Sequence, residues 1–501
     1  MNKRGAALLL AAAMTFSSIL PGQTAMAAGE SYVTDAQLTA AVVEAPAKDK
    51  VIPDANQYEY QKQELAAFCH FGPNTFNEIE WGEHYGDRTP DDIFKLETNF
   101  DADKLVSSLK AAGFKKLIVT AKHHDGFCIW NSAYTTYDVE STSYAGYNYD
   151  DMGGDILAEI SAACTAHDMD MGLYLSPWDI HDESYGYYDE HHNPTNKEND
   201  AKDYNVYYNN QLQEILGNPK YGNNGHFKEV WMDGAKGSGA NAQEYDFETW
   251  FDTIQKNEGK KAGFDADCLL FGAESYSTVR WIGNENGYAN EETWSKSKIN
   301  RANNTIDSNH TGAQGTFIGF EDGNQWTVPE VDARITSGWF WGTRKNSPKS
   351  ILDLGNMYFN SVGHNAPLLL NIPPNNQGGV DQAILDRVAE FGNNISETFQ
   401  LNLAKDAAAS ATEVRGNALS YKPGNVLDGK DNTYWTVNDG TTTGTLQLDL
   451  KGQKTFDVVS IEEAIEFGQR IKSFKVEYSL DGGAWKTFDQ GVASGDERSL
   501  F

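Results

Sequence analysis

Three short apolar runs of this sequence each end on polar residues. The run Val230–Met232 ends on Asp233 and a glycine, Leu117–Thr120 leads to two adjacent histidines, and Gly172–Leu175 leads to a serine, a proline and an acid. Buried strands with polar groups at their exits are typical of a parallel barrel, whose active site lies at the carboxyl ends of its strands. We therefore expect a barrel with its functional groups gathered at one end.

Strands and helices alternate between about residues 64 and 395, and the strands are almost continuously apolar. Such strands are buried on both faces, which favours an α/β fold with a parallel sheet covered by helices. The number of units favours a closed (β/α)8-like barrel over an open sheet. Residues 283–316, rich in Asn, Gly and Ser, are predicted to form a long loop over the cleft. The predicted helices are 101–113, 156–167, 204–216, 247–256, 351–362 and 382–391, and the predicted strands are 116–120, 169–175, 229–232, 268–272 and 368–372.

The pattern changes after about residue 400. Segments 445–450, 457–461 and 474–479 alternate with period two and are separated by Asp-Gly, Asn-Asp and Gly-Gly turns, which is typical of an antiparallel β-sandwich. A chain of 501 residues is also long enough for more than one domain. We assign residues 28–395 to the barrel and residues 396–501 to the sandwich, which we expect to be incomplete at its carboxyl end.

The charge of the chain restricts its partners. It contains 40 Lys and Arg against 72 Asp and Glu, which gives a formal net charge of -32. Because nucleic-acid phosphates bind basic surfaces, no nucleic-acid partner is expected. The 12 Trp and 24 Tyr supply flat faces that pack against sugar rings as well as against protein cores. A neutral or cationic ligand therefore fits this composition better.

The first 27 residues are typical of a secretory signal peptide. Lys3 and Arg4 form a charged start, residues 6–16 form an apolar stretch, and residues 25–27 form a small-residue cleavage site. The apolar stretch is too short to cross a bilayer as a helix, and no other segment is long and apolar enough. We therefore predict an exported protein, secreted or held at the cell surface, without a membrane span.

The four cysteines do not form a recognisable disulfide or zinc pattern. Cys69, Cys128, Cys164 and Cys268 are widely spaced. Export would permit disulfides, but this spacing favours buried free thiols. The sequence also lacks the Cys-x-x-Cys and His-Glu-x-x-His spacings that predict zinc.

Five motifs between about residues 61 and 391 carry most of the aromatic and ionisable residues at the predicted strand exits. They are His70–Gly72, Glu80–Gly82, Lys122–Phe127, Leu173–Asp179 and Trp231–Ala235. In this order the motifs resemble those of the α-L-fucosidases of glycoside hydrolase family 29. The resemblance implies an exo-acting enzyme that removes terminal fucose from glycans with retention of configuration and needs no cofactor for catalysis.

Glycosidic cleavage needs one carboxylate at the anomeric centre and one carboxylic acid that gives a proton to the leaving oxygen. Asp233, at a predicted strand exit, fits the first role, and by resemblance it is the family's nucleophile. An Asp-Gly pair taken alone is equally typical of a turn or a helix cap. The matching residues on both sides of Asp233 favour the catalytic interpretation.

The proton donor has several candidates. Glu274 follows the predicted strand 268–272 directly, so position alone favours it, while Glu285, Glu291 and Glu292 lie further along in the predicted loop. The stretch that ends at Glu285 reads Arg-Trp-Ile-Gly-Asn-Glu and resembles the acid/base loop of the subgroup that cleaves α-1,3 and α-1,4 fucosides. This resemblance implies Glu285 as the acid/base.

The remaining candidate site residues are predicted to bind sugar. By resemblance the three histidines donate hydrogen bonds to sugar hydroxyls, and Trp81 covers the C6 methyl group of fucose. Core packing is an equally good explanation for Trp339. The candidates are His70, Glu80, Trp81, His123, His124, Tyr174 and Trp339.

Residues 427–436 and 467–471 resemble the discoidin-like carbohydrate-binding modules of family 32. Within the first segment, Asp428, Asp431 and Thr433 supply hard oxygen atoms in a tight loop, which suits calcium. An ordinary Asp-Gly turn is the alternative.

Two other functions stay open at this point. One is a sugar-binding protein on a catalytically inactive barrel, which release of free fucose would exclude. The other is a metal-dependent barrel hydrolase that uses His123, His124 and Asp233, which full activity in a chelator would exclude.

Overall fold

A computed structural model describes residues 14–16, 31–81, 88–146, 154–308, 312, 315–480, 482–492 and 498–500. A closed barrel of eight parallel strands forms the larger domain, which confirms the predicted fold class. Each strand pairs with the next one along the chain, and β8 closes the barrel against β1. Strands β1 to β8 are Leu65–Cys69, Lys116–Lys122, Asp170–Leu175, Glu229–Trp231, Leu269–Phe271, Val279–Trp281, Val328–Arg334 and Leu368–Asn371.

Aspartate caps start several of the helices. The side chains of Asp101, Asp155, Asp203 and Asp246 each accept a hydrogen bond from a backbone N–H in the first helical turn, which satisfies a donor that has no partner within the helix. The α-helices are Ala55–Gln63, Pro73–Asn77, Pro90–Ile93, Ala102–Ala111, Ile156–Ala166, Tyr204–Leu216, Phe247–Glu258, Ile351–Ser361 and Gln382–Phe399.

Two connections differ from a regular alternation of strand and helix. A single 3-10 turn, Glu274–Tyr276, joins β5 to β6. The predicted loop 283–316 contains a hairpin of Lys296–Asn300 and Thr305–Asp307, so the prediction of a long loop was wrong for these residues. Asn304 lies in the turn of the hairpin in a left-handed conformation. The strands were not predicted because Asn and Ser residues, which are frequent in this segment, are typical of turns.

The buried parts of the barrel domain contain ion pairs as well as apolar side chains. Lys116 of β2 contacts Glu229 of β4 at 2.7 Å, and Lys122 contacts Asp179 at 3.0 Å, with all four side chains almost fully buried. Lys116 also lies over one tyrosine ring, and Lys122 lies close to several. The four cysteines are buried and free, as predicted.

The carboxyl-terminal domain consists of short antiparallel pairs. Val33–Thr34 joins its sheet by pairing with Ala408–Ala411, although these residues belong to the barrel in the domain prediction. The predicted signal peptide lies outside the described residues except for Met14–Phe16, a strand that pairs with Lys454–Phe456. The remaining strands of this domain are Leu446–Asp449, Val459–Ile461, Ser473–Tyr478, Lys486–Val492 and Arg498–Leu500. In the barrel domain, Gln325–Trp326 pairs with Lys296–Asn300.

The two domains are joined by a helix and by direct contacts. Gln382–Phe399 continues past the predicted boundary at residue 395. The buried amide of Gln469 accepts a hydrogen bond from the Ser295 backbone N–H and donates one to the Thr293 carbonyl. Among the described residues, no helix has the length and apolar character needed to cross a membrane.

Candidate active site

Asp233 lies two residues beyond the end of β4, at the carboxyl-terminal mouth of the barrel. Its Oδ1 accepts a hydrogen bond from the Ala235 backbone N–H at 2.8 Å, and its Oδ2 accepts one from the Tyr174 hydroxyl at 3.2 Å. The Nε2 atom of His124 is 3.8 Å from Oδ2. The side chain stays 28% exposed. The carboxylate is thus fixed from two sides and partly open to solvent.

Three histidines line this mouth. His70 follows β1 directly, and His123 and His124 follow β2. The His70 and His123 ring centroids are 5.8 Å apart, and those of His123 and His124 are 4.2 Å apart. Burial lowers the pKa of His70 to about 3, and it lowers the pKa values of His123 and His124 as well. The three rings are therefore neutral at ordinary pH.

Trp231 forms the floor below the histidines. Its ring stacks on Phe271 at 4.0 Å and on Tyr174 at 5.2 Å between centroids. Its Nε1–H donates to Glu330 of β7 at 2.9 Å, and the Tyr60 hydroxyl donates to the other oxygen of the same carboxyl group. Burial and the nearby charge of Glu229 raise the pKa of Glu330 to about 8. The sequence had not indicated that Glu330 holds Trp231 in place.

Glu285 lies on the loop that follows β6. Its Oε2 accepts a hydrogen bond from Trp339 Nε1–H at 3.3 Å and is 3.7 Å from Arg334 Nη2. The carboxylate is 44% exposed. The Trp339 ring is 5.0 Å from the His70 ring. Trp339 therefore joins the loop glutamate to the histidine group, although its side chain is buried as the packing alternative expected.

Asp332 was also missed by the sequence reasoning. It is buried on β7, and its Oδ1 accepts a hydrogen bond from Trp281 Nε1–H at 2.8 Å. Burial raises its pKa to about 7, and the charges of Glu285 and Asp233 add to this effect. Glu285 and Asp233 are therefore both close enough to act electrostatically on the buried Asp332 carboxyl group.

The other acid candidates make different contacts. Glu274 accepts a hydrogen bond from Asn304 Nδ2 at 2.6 Å, at the tip of the hairpin, and its backbone is left-handed with φ 46°. Glu292 accepts one from Trp294 Nε1 at 3.0 Å, and Glu291 is exposed. Glu274 is thus hydrogen-bonded to the hairpin and Glu292 to a neighbour two residues along the chain, and neither of these bonds reaches the Asp233 group.

Trp81 stands at the edge of the pocket with 54% of its surface exposed. Its ring contacts those of His124 and Trp178, with centroids 6.1 and 5.7 Å apart. The neighbouring Glu80 is half-buried, and its carbonyl accepts a hydrogen bond from Asn74. Gly82 of the same motif lies outside the described residues.

The residues predicted to bind calcium contact other side chains in the structure. The Thr433 hydroxyl donates to Asp428 at 2.8 Å, and the Asp431 carboxylate is 4.0 Å from Lys62 Nζ. Within the described parts of the chain, no three His, Cys, Asp or Glu side chains are grouped closely enough to hold a metal ion. The calcium site stays a prediction.

Comparison with known proteins identifies the class of this site. The chain belongs to the α-L-fucosidase family, whose sequence profile matches residues 49–398. It is therefore a glycoside hydrolase. The F5/8 type C domain profile matches residues 407–499, which confirms the predicted discoidin-like character of the second domain.

Two relatives are similar over most of their length. A GH29 fucosidase of Ruminococcus gnavus, solved in complex with fucose, is 65% identical with a TM-score of 0.91, covering 94% of this chain and 92% of its own. Alpha-L-fucosidase 1 of Arabidopsis thaliana is 37% identical over 451 residues, which are 90% of this chain and 81% of its own.

Proposed function

We propose that the enzyme is an exo-acting α-L-fucosidase that hydrolyses terminal α-1,3- and α-1,4-linked fucose from glycans with retention of configuration. The observation that carries this proposal is that two carboxylates accept hydrogen bonds from aromatic side chains that contact the same histidine ring. Asp233 accepts a hydrogen bond from Tyr174, and Glu285 accepts one from Trp339. The His70 ring contacts both of these aromatic rings. A fucose ring between the two carboxylates would have one of them at each face of its anomeric carbon.

In the first step Asp233 attacks the anomeric carbon while Glu285 gives its proton to the leaving oxygen. The bond from carbon to the leaving oxygen breaks as the bond to Asp233 Oδ forms. In the second step Glu285 takes a proton from water, which attacks the fucosyl-enzyme ester and releases α-fucose. The Ala235 N–H and the Tyr174 hydroxyl keep Asp233 in position for both steps.

The remaining pocket residues bind the sugar in this proposal. His70, His123 and His124 face the fucose hydroxyls, and the exposed Trp81 covers the C6 methyl group, the apolar feature that distinguishes fucose from galactose. Glu80 and Tyr174 complete the set of polar contacts. The preference for α-1,3 and α-1,4 linkages rests on the resemblance of residues 280–285 to the acid/base loop of that subgroup.

Two measurements test the proposal. The enzyme is incubated with oligosaccharides that carry fucose in α-1,2, α-1,3, α-1,4 or α-1,6 linkage, and we expect release from the α-1,3 and α-1,4 substrates. NMR of the earliest product should show α-fucose, and β-fucose would overturn the two-step mechanism. A preference for α-1,2 or α-1,6 substrates would overturn the linkage assignment alone.

We propose that catalysis needs no cofactor, so activity should be unchanged after dialysis against a chelator. Loss of activity that zinc or calcium restores would favour a metal-dependent hydrolase. For the second domain we keep the calcium proposal for Asp428, Asp431 and Thr433. Added calcium should then raise the melting temperature of the wild-type enzyme but not of Asp428→Ala.

Export is also part of the proposal, because residues 1–27 have the pattern of a cleaved signal peptide. Expression with and without these residues tests it. We expect the enzyme in the exported fraction only when they are present, and amino-terminal sequencing should find the mature chain beginning after Ala27.

A further inference from the structure

The Ser176 hydroxyl fixes the position of the proton on His124. Ser176 follows β3 directly, and its Oγ is 2.7 Å from both the Trp178 carbonyl oxygen and His124 Nδ1. A carbonyl oxygen only accepts, so the single hydroxyl proton of Ser176 points to Trp178. The Ser176 oxygen can then only accept from His124, which places a proton on Nδ1 of that ring.

Asn371 acts on His70 in the same way. Its Nδ2 donates to the Trp339 carbonyl at 2.7 Å, and its Oδ1 is 2.8 Å from His70 Nδ1. A flipped amide would put its oxygen against the Trp339 carbonyl oxygen, so the orientation is determined. The His70 Nδ1 atom must therefore carry a proton and donate to Asn371.

A neutral imidazole carries one proton, so both rings present an unprotonated Nε2. Burial keeps both pKa values below their usual range, although the charges of Asp233 and Asp179 oppose this at His124. Among the described residues, no hydrogen bond reaches Nε2 of either ring. The 3.8 Å between His124 Nε2 and Asp233 Oδ2 thus separates two acceptors, which leaves a position for a donor.

We propose that Ser176 and Asn371 are positioning residues that fix the tautomers of His124 and His70, so that each Nε2 accepts a hydrogen bond from a sugar hydroxyl. The pocket therefore binds sugar hydroxyls that donate hydrogen bonds to the two ring nitrogens. A group that only accepts, such as fluorine or a methoxy oxygen, is rejected because it leaves the ring nitrogen unpaired. This inference rests on the proposed fucose pocket and reverses the expectation that these two histidines donate.

Inhibition by free sugars tests the direction of the hydrogen bonds. The probes are L-fucose and its deoxy and deoxyfluoro analogues at C2, C3 and C4, measured as competitive inhibitors of aryl-fucoside hydrolysis. Fluorine cannot donate a hydrogen bond. At the positions that face His70 and His124, we expect the deoxyfluoro sugar to bind roughly three- to tenfold more weakly than fucose and no better than the deoxy sugar.

The outcomes separate this inference from the proposed function. If a deoxyfluoro sugar binds better than its deoxy partner at every position, the histidines donate and the inference is wrong. If L-fucose itself does not compete, the proposed pocket is wrong instead.

Serine variants and NMR provide an independent readout. In enzyme labelled with 15N-histidine, both rings should show a protonated Nδ1 and an unprotonated Nε2, assigned with His70→Gln and His124→Gln. Ser176→Ala should change the NMR signals of His124 alone and raise KM for the aryl fucoside. Ser176→Thr keeps the hydroxyl, so it should show the wild-type His124 signals and the wild-type KM. A protonated Nε2 on His124 in the wild-type enzyme would overturn the inference.

Discussion

The two candidate catalytic carboxylates are held by different kinds of structure. Asp233 lies at the end of β4 and is fixed by a backbone N–H two residues later and by Tyr174 of the adjacent strand β3. Glu285 lies on a loop, is more exposed, and is held by Trp339 and Arg334, which are about 50 residues away in sequence. The sheet therefore positions the first carboxylate, while long-range side-chain contacts position the second.

This difference agrees with the proposed roles. A nucleophile must meet one atom of one sugar, so a rigid strand end suits it. A proton donor must reach the oxygen of leaving groups that vary in shape, so a loop at the rim suits it better. The comparison predicts that changes at Asp233 affect all substrates equally, whereas changes around Glu285 depend on the leaving group.

The largest effect is expected for Asp233→Ala. Removing a nucleophile normally lowers kcat by several powers of ten, and we expect this loss for aryl fucosides and glycans alike. The fold should persist because the side chain is partly exposed, which the melting temperature checks. Residual activity above about a hundredth of the wild-type value would contradict a covalent role.

Glu285→Ala should distinguish between substrates. Natural glycans have poor leaving groups and need the proton, so their kcat should fall about 100-fold or more. Aryl fucosides should be affected much less, and added azide should partly restore their turnover.

Glu274→Ala is the matched comparison, because Glu274 is bonded to Asn304 at the hairpin. It should depress both kinds of substrate to the same small extent. An exchange of behaviour between these two variants would make Glu274 the acid.

Arg334→Ala should weaken the positioning of Glu285 without removing it. We expect roughly a tenfold loss of kcat on natural glycans, because a misplaced proton donor is less effective, and little change with aryl fucosides. Arg387→Ala is the control, since Arg387 pairs with Glu390 on a helix. Equal losses on both substrates would show that Arg334 acts on binding and not on the proton donor.

The last prediction concerns stability and its dependence on pH. The pKa of Asp332 is raised to about 7 by burial, so the folded protein keeps a proton that the unfolded chain loses above about pH 4. This stabilisation is complete below about pH 4 and is lost as the pH rises to about 7.

Asp332→Asn should remove this contribution and still accept the Trp281 hydrogen bond. The free energy of unfolding of the wild type should therefore fall more steeply between pH 4 and 7 than that of the variant, by about 1.4 kcal/mol per pH unit. Denaturant titrations at several pH values measure this slope. Identical slopes would show that Asp332 is ionised throughout.

Much of the fold was predictable because apolar periodicity is a local property. The helix Tyr204–Leu216 was predicted to the residue, and the other predicted helices and strands of the barrel differ mainly at their ends. Strand β7 was not predicted, yet its sequence places Glu330, Asp332 and Arg334 on one face. Charged residues at alternate positions do not resemble a buried strand, and they are tolerated here because Trp231, Trp281 and Glu285 pair with them.

The sequence by itself determined where the strands end, and so it predicted Asp233 and the three histidines at one mouth of the barrel. Position along the chain favoured Glu274, and the resemblance implied Glu285. Only the tertiary structure shows that Trp339 and Arg334 hold Glu285, whereas Asn304 holds Glu274. The tertiary structure also decided which ring nitrogen of His70 and His124 carries the proton, since Asn371 and Ser176 contact rings that are distant in sequence. The physical reason is that periodicity depends on near neighbours, while hydrogen-bond direction depends on groups that meet only in the folded chain.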